Sequence, residues 1–344
     1  MFSDELNLRA ARASEGFTIL VDRPEMYVIA MNEIECPNCQ SLNRPGANFC
    51  AMCGRRLGES GAAVDELPTE PSATDATAVA QQRRSLDLSV GHRTDVGLLR
   101  DINEDSLLVL NFVSNNNSIS RPAGLFAVAD GMGGHESGEI ASGMLVQSLA
   151  RRAAAEWLPS AVAPDGDPVD VPAWLVETIQ SINGEIFESA HDGGYEMGTT
   201  VVAALIVDDL AHIAHVGDSR AYRIHAGGIE RLTVDHSLVE SLVLAKQISR
   251  EEARAHPQGN VIYRTVGDQP HVVVDVQSVR LLPGDMLLLC SDGLSGMLTD
   301  ETIHRLVTEA GAPQTACDLL VDFANQAGGE DNCTAIIIRP ILSA

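Results

Sequence analysis

Apolar residues along this chain fall into short, dense runs, each closed by a polar or glycine-rich stretch. LLVLNFV (107–113) and LFAVAD (125–130) read as strands, with SNNNSISRPA as a polar loop between them. Ile140, Met144, Leu145 and Leu149 recur at helical spacing behind Ser137, an N-cap candidate with Glu139 just inside. Ile179, Ile182 and Ile186 mark a second amphipathic helix. TTVVAALIV, LAHIAHV and AYRIH follow as three strands joined by short turns at Asp208–Asp209 and Asp218–Ser219. Connections that short imply antiparallel neighbours. A polar helical insertion over 236–258 precedes the strands VVVDVQSV and DMLLLC; a helix around 313–326 and the strand CTAIIIR close the pattern. Grouped strands and paired helices favour an α+β fold, antiparallel sheets with helices layered outside, over an alternating doubly wound one.

Ahead of this region the texture differs. Residues 1–31 carry two strand-like runs, FTILVD and MYVIAM, without visible partners, and stay unassigned. Residues 32–57 hold CPNC and CAMC separated by ten residues. That is the arrangement of a small zinc ribbon, with Cys36, Cys39, Cys50 and Cys53 as the four ligands of one Zn²⁺. So short a module has no hydrophobic core, and the metal has to supply its folding energy. Docking to a partner protein is its expected role. A thioredoxin-like redox pair is the competing reading, but it needs a βαβ setting that is absent around these pairs. Residues 58–85, rich in Ala, Thr, Pro and acid, read as a flexible linker, and 86–341 as one globular domain.

Composition narrows the functions. With 48 Asp and Glu against 23 Lys and Arg, the formal charge is −25, a field that repels nucleic acid. Aromatic residues make up 4%, too few for a base-stacking platform. No apolar run approaches a membrane span, and the first residues lack the apolar core of a secretion signal. Seven cysteines, an odd number with three in apolar surroundings, suit reduced thiols and a cytoplasmic setting.

Three apolar runs end alike: GLFAVADGMGG at Asp130, LAHIAHVGDSR at Asp218, MLLLCSDG at Asp292. A carboxylate at the end of a buried strand is costly unless paired or bound to metal. Visible cations are few, Arg100 and Arg220, against these three together with Glu104, Asp105 and Asp331. Each motif alone has a bland reading: Asp-Gly is a common turn, GDSR can close on its own Asp–Arg pair, RDINEDS can be a solvated helix start. Taken together they describe hard oxygen ligands without His or Cys, which select Mg²⁺ or Mn²⁺. Glycine after Asp130 lets the backbone approach closely, so the Gly131 carbonyl is an added candidate ligand.

In order and texture, GLLRDINEDS, ADGMGGHESGEIAS, MGTTVVAAL, HVGDSRAYRI, CSDGLSG and GGEDNCTAIII resemble the PP2C-type (PPM) metal-dependent serine/threonine phosphatases, bacterial branch, over about residues 88–340. The resemblance implies a four-layer α-β-β-α sandwich and hydrolysis of phosphoserine and phosphothreonine in proteins by a metal-activated water. It implies two Mn²⁺ or Mg²⁺ ions, with Asp130 bridging, the Gly131 carbonyl on one, and Asp292 and Asp331 on the other. Glu104 and Asp105 fall at the family's water-supporting acids, Arg100 at its phosphate-gripping arginine. Asp218, with Asp292, matches the holders of a third, weaker metal. Residues 236–267 resemble the bacterial flap, with Asn260 at a position that contacts that metal in relatives. Eukaryotic members carry a histidine directly after the bridging Asp-Gly; here it is Met132, as in the bacterial branch. His135 reads as a surface residue, and no general acid is assigned.

A monomer opposing a cytosolic serine/threonine protein kinase, with that kinase and its phosphorylated substrates as partners, is therefore expected. The alternative is a catalytically inactive relative whose ribbon binds partner proteins, but such a chain should have lost metal aspartates, and Asp130, Asp292 and Asp331 are present. A small-molecule phosphatase or an anti-sigma antagonist shares the chemistry and stays open.

Overall fold

The computed structural model describes residues 34–37, 41–43, 86–116, 119–133, 137–162 and 169–342. The chain divides into two units, Met1–Val79 and Ala80–Ala344. In the first, β1 (Ile34–Glu35) and β2 (Leu42–Asn43) form an antiparallel hairpin. FTILVD, MYVIAM, the 58–85 linker, Cys39, Cys50, Cys53 and His135 lie outside the described residues.

The second unit contains β3 (Leu86–Asp95), β4 (Asp105–Asn116), β5 (Ile119–Gly133), β6 (Met197–Thr199), β7 (Val201–Val207), β8 (Leu210–Val216), β9 (Arg220–His225), β10 (Gly228–Arg231), β11 (Asp275–Arg280), β12 (Met286–Cys290) and β13 (Cys333–Leu342). One sheet runs β10-β9-β12-β13-β3 and the other β11-β8-β7-β5-β4, with β6 beside β5; every pairing is antiparallel. Helices Ser137–Arg152 and Val171–Gly193 cover the second sheet, and Asp300–Ala310 and Pro313–Gln326 the first. This is the four-layer α-β-β-α sandwich.

Three cores explain why the apolar runs are unbroken. Along β5, Leu125, Ala127 and Ala129 face the helices while Phe126 and Val128 face the other sheet. Along β12, Leu288 and Cys290 face helices, and Leu287 and Leu289 face inward between the sheets. An antiparallel strand with one wet face would alternate apolar and polar; these strands are dry on both faces. Ile179, Ile182 and Ile186 are fully buried against the second sheet, as their spacing predicts.

Several elements differ from the sequence reading. Residues 114–116 and 119–123 continue β4 and β5 as a paired ladder, Ser114 opposite Arg121 and Asn116 opposite Ile119, because strand pairing is a backbone property. The 236–258 insertion is helical, as its sequence predicts, in two short pieces, Leu238–Leu244 and Arg250–Arg254, capped by Ser237 and Ser249. The short Asp218–Ser219 connection makes no hairpin: β8 and β9 lie in different sheets. Gly217, at φ +109°, takes the sharp change of direction, and a Cβ there would strike Thr200 at 2.6 Å. The helix Asp300–Ala310 and the strands β3, β6 and β10 have no counterpart in that reading.

Candidate active site

Antiparallel pairing sets the start of one strand against the end of its neighbour. Asp105 opens β4 opposite Asp130 in β5. Asp292 begins a four-residue helix two positions after β12, and Asp331 lies two positions before β13. Asp218 sits in the crossover between the sheets. Acids from separate strand ends thus arrive at one rim.

Backbone and hydroxyl bonds hold them there. Thr200 donates its N–H to the Asp130 carbonyl at 2.8 Å, accepts the Asp130 N–H on Oγ1 at 3.0 Å, and meets Ser219 Oγ at 2.7 Å. That couples the Asp130 strand to the Asp218 crossover. Ser291 Oγ donates to Asp105 Oδ2 at 2.8 Å and accepts from the Thr334 N–H at 2.9 Å. Gly131 donates its N–H to the Glu104 carbonyl at 3.2 Å, and a Cβ on it would lie 2.1 Å from the Gly138 carbonyl. Only glycine fits. Arg100 reaches Asp331 at 2.6 Å with its side chain 46% exposed.

The electrostatics are lopsided. Burial, then the charges of Asp105, Asp292 and Asp218, push the Asp130 carboxyl well above the ordinary range. Burial raises Asp218 too, with Asp292 and Asp235 adding to it, and raises Asp292 together with Asp331. Asp105 is pushed up to about 7 by burial, against the hydrogen bonds of Thr334 and Ser291. Asp105 Oδ1, Asp218 Oδ1 and Asp292 Oδ1 are buried without any protein partner. Arg220 eases Asp218 and Asp292 only through its charge at a distance: it forks onto Asp235, at 3.0 and 2.6 Å, so GDSR is not closed by its own ion pair. Orphaned carboxylate oxygens beside committed arginines fit hard divalent cations, and a donor set of oxygen alone fits Mg²⁺ or Mn²⁺.

Asn260 is exposed and lines one cleft of about 380 Å³ with Asp218 and Asp292. Asn332, in GGEDNCT but not singled out from sequence, pins the Arg100 loop: its amide donates to the carbonyls of Val96 and Ile102, and its Oδ1 accepts from the Glu104 N–H. A second cluster, His215, His236 and Asp275, has ligand atoms within 4.8 Å of one another. Gly217 donates to His236 Nδ1, while His236 Nε2 lies 3.1 Å from Asp275 Oδ2 and 2.9 Å from Arg264 Nη1. His236 is engaged by hydrogen bonds on both ring nitrogens, whereas His215 Nε2 is buried without a protein partner. Cys290 and Cys317 are core residues whose thiols burial pushes up to about 12, so neither is a nucleophile.

A two-sheet sandwich with this acidic rim defines a metal-dependent phosphatase. The protein phosphatase 2C family model matches residues 103–323. Protein phosphatase PhpP of Streptococcus pneumoniae is 38% identical over 248 residues, covering 71% of this chain and 94% of PhpP. The serine/threonine phosphatase PstP/Ppp of Mycobacterium tuberculosis superposes with a TM-score of 0.63 at 32% identity, over 73% of this chain and 98% of that one. The catalytic domain of PstP in complex with 2 manganese ions superposes equally, 0.63 at 31% identity, over 75% and 100%. The chain belongs to the protein phosphatase 2C family of bacteria and is a protein serine/threonine phosphatase of that type.

Proposed function

We propose that the rim binds two divalent cations, Mn²⁺ or Mg²⁺, and that the chain hydrolyses phosphoserine and phosphothreonine with no covalent enzyme intermediate. The observation that carries this is the set of orphaned carboxylate oxygens on Asp105, Asp218 and Asp292. Asp130, the Gly131 carbonyl, Asp292 and Asp331 would hold the two ions. Asp218, with Asp292 and Asn260, would hold a weaker third. When bound, such ions acidify water from about 15.7 towards about 7 and polarise the phosphoryl oxygens. Glu104 and Asp105 orient water beside the ligands. Arg100 exchanges Asp331 for the substrate phosphate, two of whose oxygens match the planar guanidinium fork. Ser219 and Thr200 keep the Asp218 crossover in place as ligands load. PhpP and PstP are named as protein phosphatases, which supports a phosphoprotein substrate; a cytosolic serine/threonine kinase is the proposed source of its phosphate. Among the described residues no helix is long and apolar enough to cross a membrane. With Mn²⁺, the purified chain should release phosphate from phosphoserine and phosphothreonine peptides at least about tenfold faster than from a phosphotyrosine peptide. Equal rates on all three would remove the serine/threonine assignment.

The N-terminal unit is proposed to bind Zn²⁺ through Cys36, Cys39, Cys50 and Cys53. Support comes from the motif spacing and from Cys36, which is buried just after β1 and donates its N–H to the Ser41 carbonyl at 2.9 Å. Zinc should copurify with the full chain and be lost in Cys36→Ser with Cys39→Ser. A fragment from residue 86 should stay folded and active without it. An insoluble or inactive fragment would place the ribbon inside the catalytic fold.

A further inference from the structure

Beside the acidic rim lies an open groove of about 640 Å³. It starts at Met132, two residues beyond Asp130, where β5 leaves β7 and pairs with β6. Its other walls come from the end of the helix Val171–Gly193 and from the chain around Gly267 that leaves the flap. The mechanism above uses none of it.

The groove is preformed. Tyr195 is 46% exposed, yet a Cβ on Gly193 would lie 2.1 Å from its ring, so the ring rests against backbone. Gly267 holds φ +94°, and a Cβ there would strike Ile186 at 2.3 Å. Thr199 and Val266 exchange N–H···O bonds of 2.9 and 2.8 Å, tying the β6 wall to the flap exit. Among the described residues its carboxylates face no lysine or arginine on the lining, where His191 is the basic group. Glu196 and Asp268 are exposed on the lining. Neither is paired with an arginine or lysine among the described residues, and Asp268 meets only the Gln269 amide at 3.3 Å. Arg264, the arginine nearest Asp268 in sequence, is held by Asp275 at 2.8 Å.

We infer that this groove receives the residues flanking the phosphorylated side chain of a protein substrate, and that Glu196 and Asp268 select basic residues there. The inference rests on the phosphatase reading above. An extended substrate advances about 3.3 Å per residue, so a groove opening two residues from Asp130 meets positions within about four residues of the phosphorylated one. Tyr195 and Met132 offer the apolar wall along which an arginine or lysine stem lies while its charge reaches a carboxylate. The phosphate itself goes to the rim, so rim and groove read different parts of one substrate.

The test uses the full chain with Mn²⁺ and two phosphothreonine peptides, identical except for arginine or glutamate at the flanking positions. The ratio of kcat/KM between them is the readout, and it is independent of overall turnover. Wild type should favour the basic peptide by about tenfold, the scale of two partly exposed ion pairs. Glu196→Lys with Asp268→Lys should bring the ratio to one or below. Glu196→Gln alone should cut it by about threefold, and raising salt should shrink it in wild type. Glu177→Lys with Glu309→Lys, outside the groove and equal in net charge change, should leave it unaltered. A wild-type ratio near one while p-nitrophenyl phosphate is hydrolysed normally overturns the groove and leaves the phosphatase reading intact. A ratio equally altered by the Glu177 and Glu309 pair also overturns the groove, assigning the preference to overall charge. Failure to hydrolyse either peptide or p-nitrophenyl phosphate with metal overturns both.

Discussion

Asp292→Asn should lower turnover at saturating Mn²⁺ by at least about a hundredfold, the scale of losing one catalytic electrostatic group. Asparagine keeps the size of the side chain and its place at the start of the helix Asp292–Ser295, so folding should survive. What disappears is one negative charge and one strong oxygen ligand beside the other acids. Burial and Asp331 already hold the Asp292 carboxyl above its usual range. Removing that charge relieves repulsion, so the variant should melt higher than wild type in EDTA even as its activity collapses. Asp209→Asn is the contrast: Asp209 pairs with Arg280 at the surface, and its loss should leave turnover near wild type. Turnover of Asp292→Asn close to wild type would take this residue out of the site.

Exhaustive chelation should abolish hydrolysis and expose a stability that depends on pH. Asp105, pushed up to about 7, and Asp130, Asp218 and Asp292, all raised, bind more protons folded than unfolded between their ordinary range and neutrality. Their contribution to the unfolding free energy therefore falls as pH rises through that window. His212, His215 and His236, whose protonation burial disfavours, set a smaller opposite slope against it. Metal-free protein should melt several degrees higher near about pH 6 than near about pH 8. Bound Mn²⁺ competes with those protons, so its rise in Tm should be larger at the higher pH. Thermal melts with and without EDTA at the two pH values measure both. Activity retained after chelation, or a metal-free Tm that climbs with pH, would contradict a cation-binding acid cluster.

Much of this was legible along the chain because the signals are local. An apolar run closed by Asp-Gly reports a strand end whether or not its neighbours are known, and the order of those ends carries the family resemblance. The dry-on-both-faces strands β5 and β12 announced themselves as unbroken apolar runs, and Ile179, Ile182 and Ile186 as one helix face. Partnership was not legible, since it depends on contacts between distant segments. Two residues of turn at Asp218–Ser219 fit a hairpin locally, and only the sandwich decides that β8 and β9 part into separate sheets. Arg220, two residues from Asp218 in sequence, forks in space onto Asp235, fifteen residues on. Asn332 looked like one more polar residue, yet 228 positions away it caps the Glu104 backbone. By itself the sequence determined which residues are acids at the ends of buried strands, for burial and turns are written in neighbouring residues. The tertiary structure alone decided which acids share a rim, which arginine is already paired and which groove lies beside them, for register and sheet choice are settled between strands far apart in the chain.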